Sequence, residues 1–207
     1  RPTEGRYKVY IIDEVHMLSA SAFNAFLKTL EEPPRHAIFI LATTEKHKIL
    51  PTILSRCQIY DFNRIKVPDT IEHLKRIATK EGVQAEEEAL NVIAQKADGA
   101  MRDALSIFDQ VVSFCGKDLT YDKVIENLNV LDYDYYFKLT DLFHDGKVAE
   151  TFLLFNEIME KGFDAGNLVS GLGRHFRDLL VAKEEITVQL LEVSASIKER
   201  YLKQAKT

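Results

Sequence analysis

The chain has 207 residues, 46% of them apolar and 29% charged, a balance that suits one to three compact globular units and excludes a disordered or collagen-like polypeptide. Its formal charge is −5, so no overall basic field exists to hold nucleic acid by itself. Charge is uneven along the chain: 10 basic residues stand against 7 acidic ones up to Lys66, and 17 against 25 beyond it.

No run of about 18 apolar residues occurs, so the sequence predicts neither a transmembrane helix nor a membrane partner. The opening Arg1-Pro2-Thr3-Glu4-Gly5-Arg6 resembles neither a signal peptide nor an initiator-methionine end, and the expectation is a soluble segment of a longer protein. Cys57 and Cys115 are 58 positions apart with no CxxC pair or histidine cluster beside them, which predicts neither a zinc site nor a disulfide framework. A reducing, cytoplasmic setting is expected.

Two short apolar runs rich in β-branched and aromatic residues, Tyr7 to Ile12 and Ala37 to Ala42, read as central parallel strands covered on both faces. Between them Ala22, Phe23, Phe26, Leu27 and Leu30 recur at helical spacing. A cap at Ser19 or Ser21 and a stop at Pro33-Pro34 bound a helix over 19–32 and so complete a βαβ unit. A short helical stretch around Ile53 to Ser55 leads to Gln58-Ile59-Tyr60-Asp61-Phe62, read as a third strand. From Pro68 strand signals vanish. Glycines punctuate helical periodicities over 69–82, 86–98, 101–115 and 120–129, then 133–145, 147–161, 165–184 and 187–205. The fold class is therefore α/β followed by all-α.

Asp13 and Glu14 close the first strand as two adjacent carboxylates. An Asp at the carboxyl edge of a parallel strand can hold Mg²⁺, and the next Glu can polarise an attacking water. The same pair also fits the end of a strand before a helix start, where acids are common. Thr43 and Thr44 close the second strand on the same edge, within reach of a phosphate or a water, or as an ordinary turn. Arg56, between the short helix and the third run, suits either a neighbouring subunit's phosphoryl charge or a local ion pair. Arg102 stands in the first turn of a helix, where the dipole prefers anions; a partner anion or its neighbour Asp103 would balance it. The basic run Lys46-His47-Lys48 fits a phosphate contact or a solvated loop. Tyr133, Tyr135, Tyr136, Phe137, Phe152, Phe155 and Phe163 read as helix core rather than a base-stacking platform. No Gly-x-x-x-x-Gly-Lys-[Ser/Thr] loop occurs anywhere, so half of any nucleotide site is missing from these residues.

Taken together, Tyr7 to Ser19, Phe23 to Pro34, Leu41 to Glu45, Ser55-Arg56-Cys57 and Gly99 to Ser106 closely resemble the bacterial DNA polymerase III gamma/tau clamp-loader subunits. The resemblance implies a partial RecA-like AAA+ parallel-sheet domain over 1–66, a helical lid over 67–131 and part of a helical collar over 132–207. It implies Asp13 as the Mg²⁺ carboxylate, Glu14 as catalytic base and Thr44 as the sensor 1 residue, with Thr43 as fallback. Arg56 becomes a trans-acting arginine finger and Arg102 the sensor 2 arginine. ATP and Mg²⁺ are the implied cofactors, and the phosphate loop and a four-cysteine zinc module belong upstream of residue 1 in this family. The implied partners are the delta and delta-prime subunits, further gamma/tau copies, the sliding clamp and primer-template DNA. The implied activity is ATP-driven clamp loading, with the isolated segment inactive for want of the phosphate loop.

Two other readings stay open. A non-hydrolysing delta-prime-like scaffold shares Leu30-Glu31-Glu32-Pro33-Pro34 and Ser55-Arg56-Cys57, but the intact Asp13-Glu14 pair and the Gly99 to Ser106 block argue against it. A DExH-type helicase is suggested only by Asp13 to His16, and the all-helical tail argues against that.

Overall fold

In the computed structural model, which describes residues 4–206, the two apolar runs form strands β1 (Lys8–Ile12) and β2 (Ala37–Leu41). They pair in parallel, Ile12 opposite Leu41. The crossover between them is helix α1 (Ala20–Glu31), whose first turn is capped by Ser19 accepting from the Ala22 N–H at 3.2 Å. Helix α2 (Pro51–Leu54) follows a 3-10 turn at Lys46–Lys48. Val15, Phe23, Ile49 and Ile53 form the core of this unit, which ends at Phe62. Full burial of one such side chain contributes about 1.5–3 kcal/mol. The ring of Phe39 stacks on Tyr10 at 5.2 Å and takes the edge of Phe26 at 5.3 Å, which seats α1 on one face of the sheet.

Two expectations fail here. The strands are not covered on both faces: Ile11 is 70% exposed, and Val9, Ile38 and Ile40 are exposed beside it. An apolar run specifies burial on both sides, but α1 and α2 cover only one. The run Gln58 to Phe62 forms no strand; Tyr60 is 69% and Phe62 95% exposed, and the two-stranded sheet offers this segment no edge partner. Backbone groups without a ladder partner turn to water, and the segment is left irregular.

From Asn63 a second unit begins. Helices α3 (Val67–Glu81), α4 (Glu87–Lys96), α5 (Met101–Cys115) and α6 (Tyr121–Asn127) pack around Leu74, Leu90, Ile93, Phe108 and Val111. Pro68 sits in the first turn of α3, and Gly82 ends it at φ 65°, the left-handed cap that glycine adopts without a Cβ penalty. Strand signals do not vanish entirely: β3 (Gln84–Ala85) and β4 (Asp118–Leu119) pair in parallel, two residues each, too short for any alternation to be legible.

Helices α7 (Tyr133–His144), α8 (Val148–Glu160), α9 (Ala165–Ala182) and α10 (Ala195–Gln204) complete this unit. The expected helix over 187–205 is instead a 3-10 turn at Val188–Leu190 followed by α10, because Ser194 caps a new start through the Ile197 N–H. Phe137 is buried as expected, but Phe152 is 69% exposed on α8 and is not core. Gln95 of α4 donates to the Glu192 carbonyl at 2.8 Å and accepts from the Tyr133 hydroxyl at 3.0 Å, stitching the two helical groups together.

His175 lies at the centre of the last helices, fully buried. Gln204 donates to Phe137 O and Asp141 Oδ1, so its Oε1 accepts from His175 Nε2–H at 3.2 Å. Nδ1 is then left to accept from the Tyr201 hydroxyl at 2.9 Å. Both ring nitrogens are satisfied by a neutral imidazole, and burial pushes the ring's pKa down to about 4.

Candidate functional site

Because β1 and β2 are parallel and in register to their last residues, whatever follows each strand emerges on the same edge of the sheet. Asp13 and Glu14 follow β1; Ala42, Thr43 and Thr44 follow β2. Main-chain bonds from Ala42 N–H to Ile12 O and from Val15 N–H to Ala42 O, both 2.9 Å, fasten the two exits together. Glu14 takes the left-handed region at φ 44°, uncommon for a residue with a Cβ. That turn swings buried Val15 into the core and leaves both carboxylates exposed at the rim.

Among the described residues, the Asp13 side chain accepts only the adjacent N–H of Glu14, at 3.0 Å. Thr44 Oγ1 donates to Glu14 Oε2 at 3.3 Å across the gap between the strands. Thr43 turns the other way: its hydroxyl accepts from the Glu45 N–H at 3.0 Å and lies 2.9 Å from His16 Nδ1. Asp13, Glu14, Thr43 and Thr44 therefore form one open polar edge rather than a closed pocket. Two clefts of the second unit, about 360 and 440 Å³, include none of these four residues.

Arg56 is not at this edge. It follows α2 and donates to Thr52 O at 2.7 Å and to Glu31 Oε1 at 3.0 Å, at the end of α1 that leads into the start of β2. Its guanidinium is more than a third exposed. Arg102 lies in the second unit, in the first turn of α5, and among the described residues forms no ion pair with Asp103 or any other acid. The basic run is internally neutralised: Lys46 pairs with Asp61 at 3.0 Å and Lys48 with Glu45 at 2.7 Å. The Lys48 hydrogen bond holds the Glu45 carboxyl below the usual carboxylate range. Cys57 packs against the Val15 and Ile53 core, and burial pushes its thiol up.

Sequence reasoning missed the part played by His16 and Glu45. The His16 side chain, only 8% exposed, reaches Glu14 Oε2 at 3.2 Å from Nδ1 and Glu45 Oε2 at 3.1 Å from Nε2. The spacing Asp13-x-x-His16 was visible, but its link to a glutamate 29 positions later depends on strand pairing. Among the described residues no group of three or more His, Cys, Asp or Glu gathers as a metal cage, and no helix is long and apolar enough to cross a membrane.

Comparison with known proteins agrees with the two-part architecture. Residues 1–66 match a family model described as DNA polymerase III, delta subunit, and residues 70–117 one described as DNA polymerase III clamp loader subunit, ATPase lid domain. The chain is 48% identical over 182 residues to DNA polymerase III subunit tau of Bacillus subtilis, covering 88% of this chain and 32% of that protein. It is 38% identical over 182 residues to subunit gamma of Buchnera aphidicola, covering 88% and 50%, and 40% identical over 163 residues to subunit tau of Escherichia coli, covering 79% and 25%. It thus spans a quarter to a half of the length of these three relatives. Among solved structures, the Thermotoga maritima RuvB Holliday junction branch migration motor superposes with a TM-score of 0.51 at 21% identity, over 67% of this chain and 52% of that one. The fold is a partial AAA+ α/β domain followed by a helical lid.

Proposed function

Because the chain belongs, over the stretch it spans, to the bacterial DNA polymerase III gamma/tau family, we propose that it forms the catalytic-acid and sensor part of a clamp-loader ATPase subunit. In this reading the protein couples ATP binding and hydrolysis to placing the sliding clamp on primed DNA. Its partners are the delta and delta-prime subunits, further gamma/tau copies, the clamp and primer-template DNA, in the cytoplasm. The division into sheet domain 1–66, lid 67–131 and collar part 132–207 belongs to the same proposal.

The observation that carries it is the shared edge of β1 and β2, where two outward carboxylates meet a threonine hydroxyl. Asp13 fits Mg²⁺: it is an exposed hard-oxygen donor that, among the described residues, has one backbone N–H to satisfy it. A lone carboxylate suits this ion, which shares its coordination with water and phosphate rather than filling a protein cage. Bound with ATP, the ion would supply charge neutralisation at the phosphates. Glu14 then orients and polarises the attacking water, and Thr44, the sensor 1 residue, gives its one hydroxyl proton to Glu14 here and would redirect it to the terminal phosphate when nucleotide is bound. Arg56, held away from this edge by Glu31, acts at a neighbouring subunit's nucleotide, and the sensor 2 role belongs to Arg102 in the same proposal.

The phosphate-cradling loop is not among the 207 residues, so these residues by themselves neither bind ATP tightly nor hydrolyse it. The test is clamp loading onto primed DNA by a reconstituted loader whose gamma/tau subunit carries Asp13→Asn. Loss of ATP-dependent loading is expected; unchanged loading contradicts the reading. The delta-subunit description matched by residues 1–66 keeps a delta-prime-like scaffold as the second reading, and that reading predicts the unchanged result.

A further inference from the structure

A general base works only when its carboxylate stays within hydrogen-bond reach of the water it activates. Glu14 is poorly placed to manage this alone. Its side chain is about half exposed, it has three rotatable bonds, and the Thr44 hydroxyl reaches it only at 3.3 Å. The imidazole of His16 is the group that limits it. The ring is almost entirely enclosed and sits on the 3-10 turn Val15–Met17, which buried Val15 anchors in the core. Nδ1 lies 3.2 Å from Glu14 Oε2 and 2.9 Å from Thr43 Oγ1, and Nε2 lies 3.1 Å from Glu45 Oε2. Glu45 is itself gripped by Lys48 at 2.7 Å.

We propose that His16 is the positioning residue of this edge, fixing the Glu14 carboxylate by tying it to the segment after β2 through Thr43 and Glu45. This rests on the reading of Glu14 as the water-polarising base. Nδ1 shares a hydrogen bond with Thr43 and lies within ion-pair distance of Glu14, and Nε2 lies within that distance of Glu45, so one rigid ring packs between two loops and registers them against each other. A buried ring loses little further entropy in doing so, whereas a flexible side chain in its place would have to be ordered anew. The two strand exits then move as a unit, and a displacement of Thr43 and Thr44 is carried to Glu14.

The test uses a gamma/tau protein carrying this segment, assembled with its loader partners, and measures kcat and KM for Mg·ATP. His16→Ala is expected to lower kcat ten- to a hundredfold with KM held within about twofold, the size usual for groups that orient a reacting residue. His16→Asn, whose amide nitrogen stands near the place of Nδ1, recovers most of the kcat; His16→Gln, which reaches toward the place of Nε2, recovers less. Unchanged kcat in His16→Ala overturns the proposal, as does a rise in KM alone. If His16→Ala does not fold, the other two decide: equal kcat in His16→Asn and His16→Gln overturns it, and a higher kcat in His16→Asn supports it. Glu14→Gln in the same assay separates this inference from the reading beneath it. A silent Glu14→Gln overturns both, whereas an inactive Glu14→Gln beside a fully active His16→Ala overturns the role of His16 alone.

Discussion

Thr44 Oγ1 donates to Glu14 Oε2 at 3.3 Å, joining the residue that turns the chain out of β1 to the residue that leaves β2. The bond exists because the two strands run parallel and end together, and it places a hydroxyl and a carboxylate side by side at an open rim. The proposed hydrolysis chemistry uses that arrangement, while fold stability gains little from an exposed bond of this length.

Arg56 offers a way to separate a role between subunits from a role within one. Its pair with Glu31 is substantially exposed on both sides and is worth no more than about 1 kcal/mol. Arg56→Ala should therefore leave the denaturation midpoint of the chain nearly unchanged, yet lower the DNA-stimulated ATPase of an assembled loader by ~10³ or more. Calorimetry of the chain and steady-state turnover of the loader measure the two halves; retained turnover removes the finger role.

Gly99 should be intolerant of any side chain. Its φ is +81°, and a Cβ built there would lie 2.5 Å from Arg64 Cβ, while its carbonyl accepts from the Ile65 N–H at 3.1 Å. Gly99→Ala must either strain the backbone or push the Arg64–Ile65 segment away, at a cost of about 1–3 kcal/mol. Urea denaturation should register this as a lower midpoint with an unchanged slope.

His175 predicts a pH dependence with a definite sign. The folded ring's pKa is depressed to about 4 from 6.5, chiefly by burial, so between these values the unfolded chain takes up a proton that the folded chain refuses. Stability is full above about pH 6.5 and declines as the pH falls toward 4, by on the order of 3 kcal/mol. Buried Asp178 works in the opposite sense, because burial raises its carboxyl and the folded state then holds a proton more readily at low pH. Urea midpoints across this range for the parent and for His175→Gln isolate the histidine: the variant should lose the decline that the parent shows.

What was legible in the sequence follows from where the information is local. Ser19 as a cap, Pro33-Pro34 as a stop and the glycine ends of the later helices are written within a few residues of where they act. Asp13, Glu14 and the two threonines could be placed on one edge because parallel pairing follows from a βαβ unit. Most of the failures involve a distant partner or too short a pattern. Gln58 to Phe62 reads as a strand but has no neighbour to pair with, β3 and β4 are too short to carry a pattern, and Phe152 sits in a helical rhythm whose outer face is bare. Gly99 could be read as a turn glycine; that Arg64 rather than the turn alone demands it could not. The break at Ser194 was available as a capping signal and was hidden by the apolar spacing that continues on either side of it.

The functional reading depends on Glu14 polarising the water that attacks ATP. Single-turnover hydrolysis by a loader whose gamma/tau subunit carries Glu14→Gln tests it most directly, with Mg·ATP binding measured on the same protein. Binding within a few-fold of the parent together with turnover lowered by roughly 10²–10⁴ is the expected result. Hydrolysis at the parent rate, with nucleotide still bound, contradicts it.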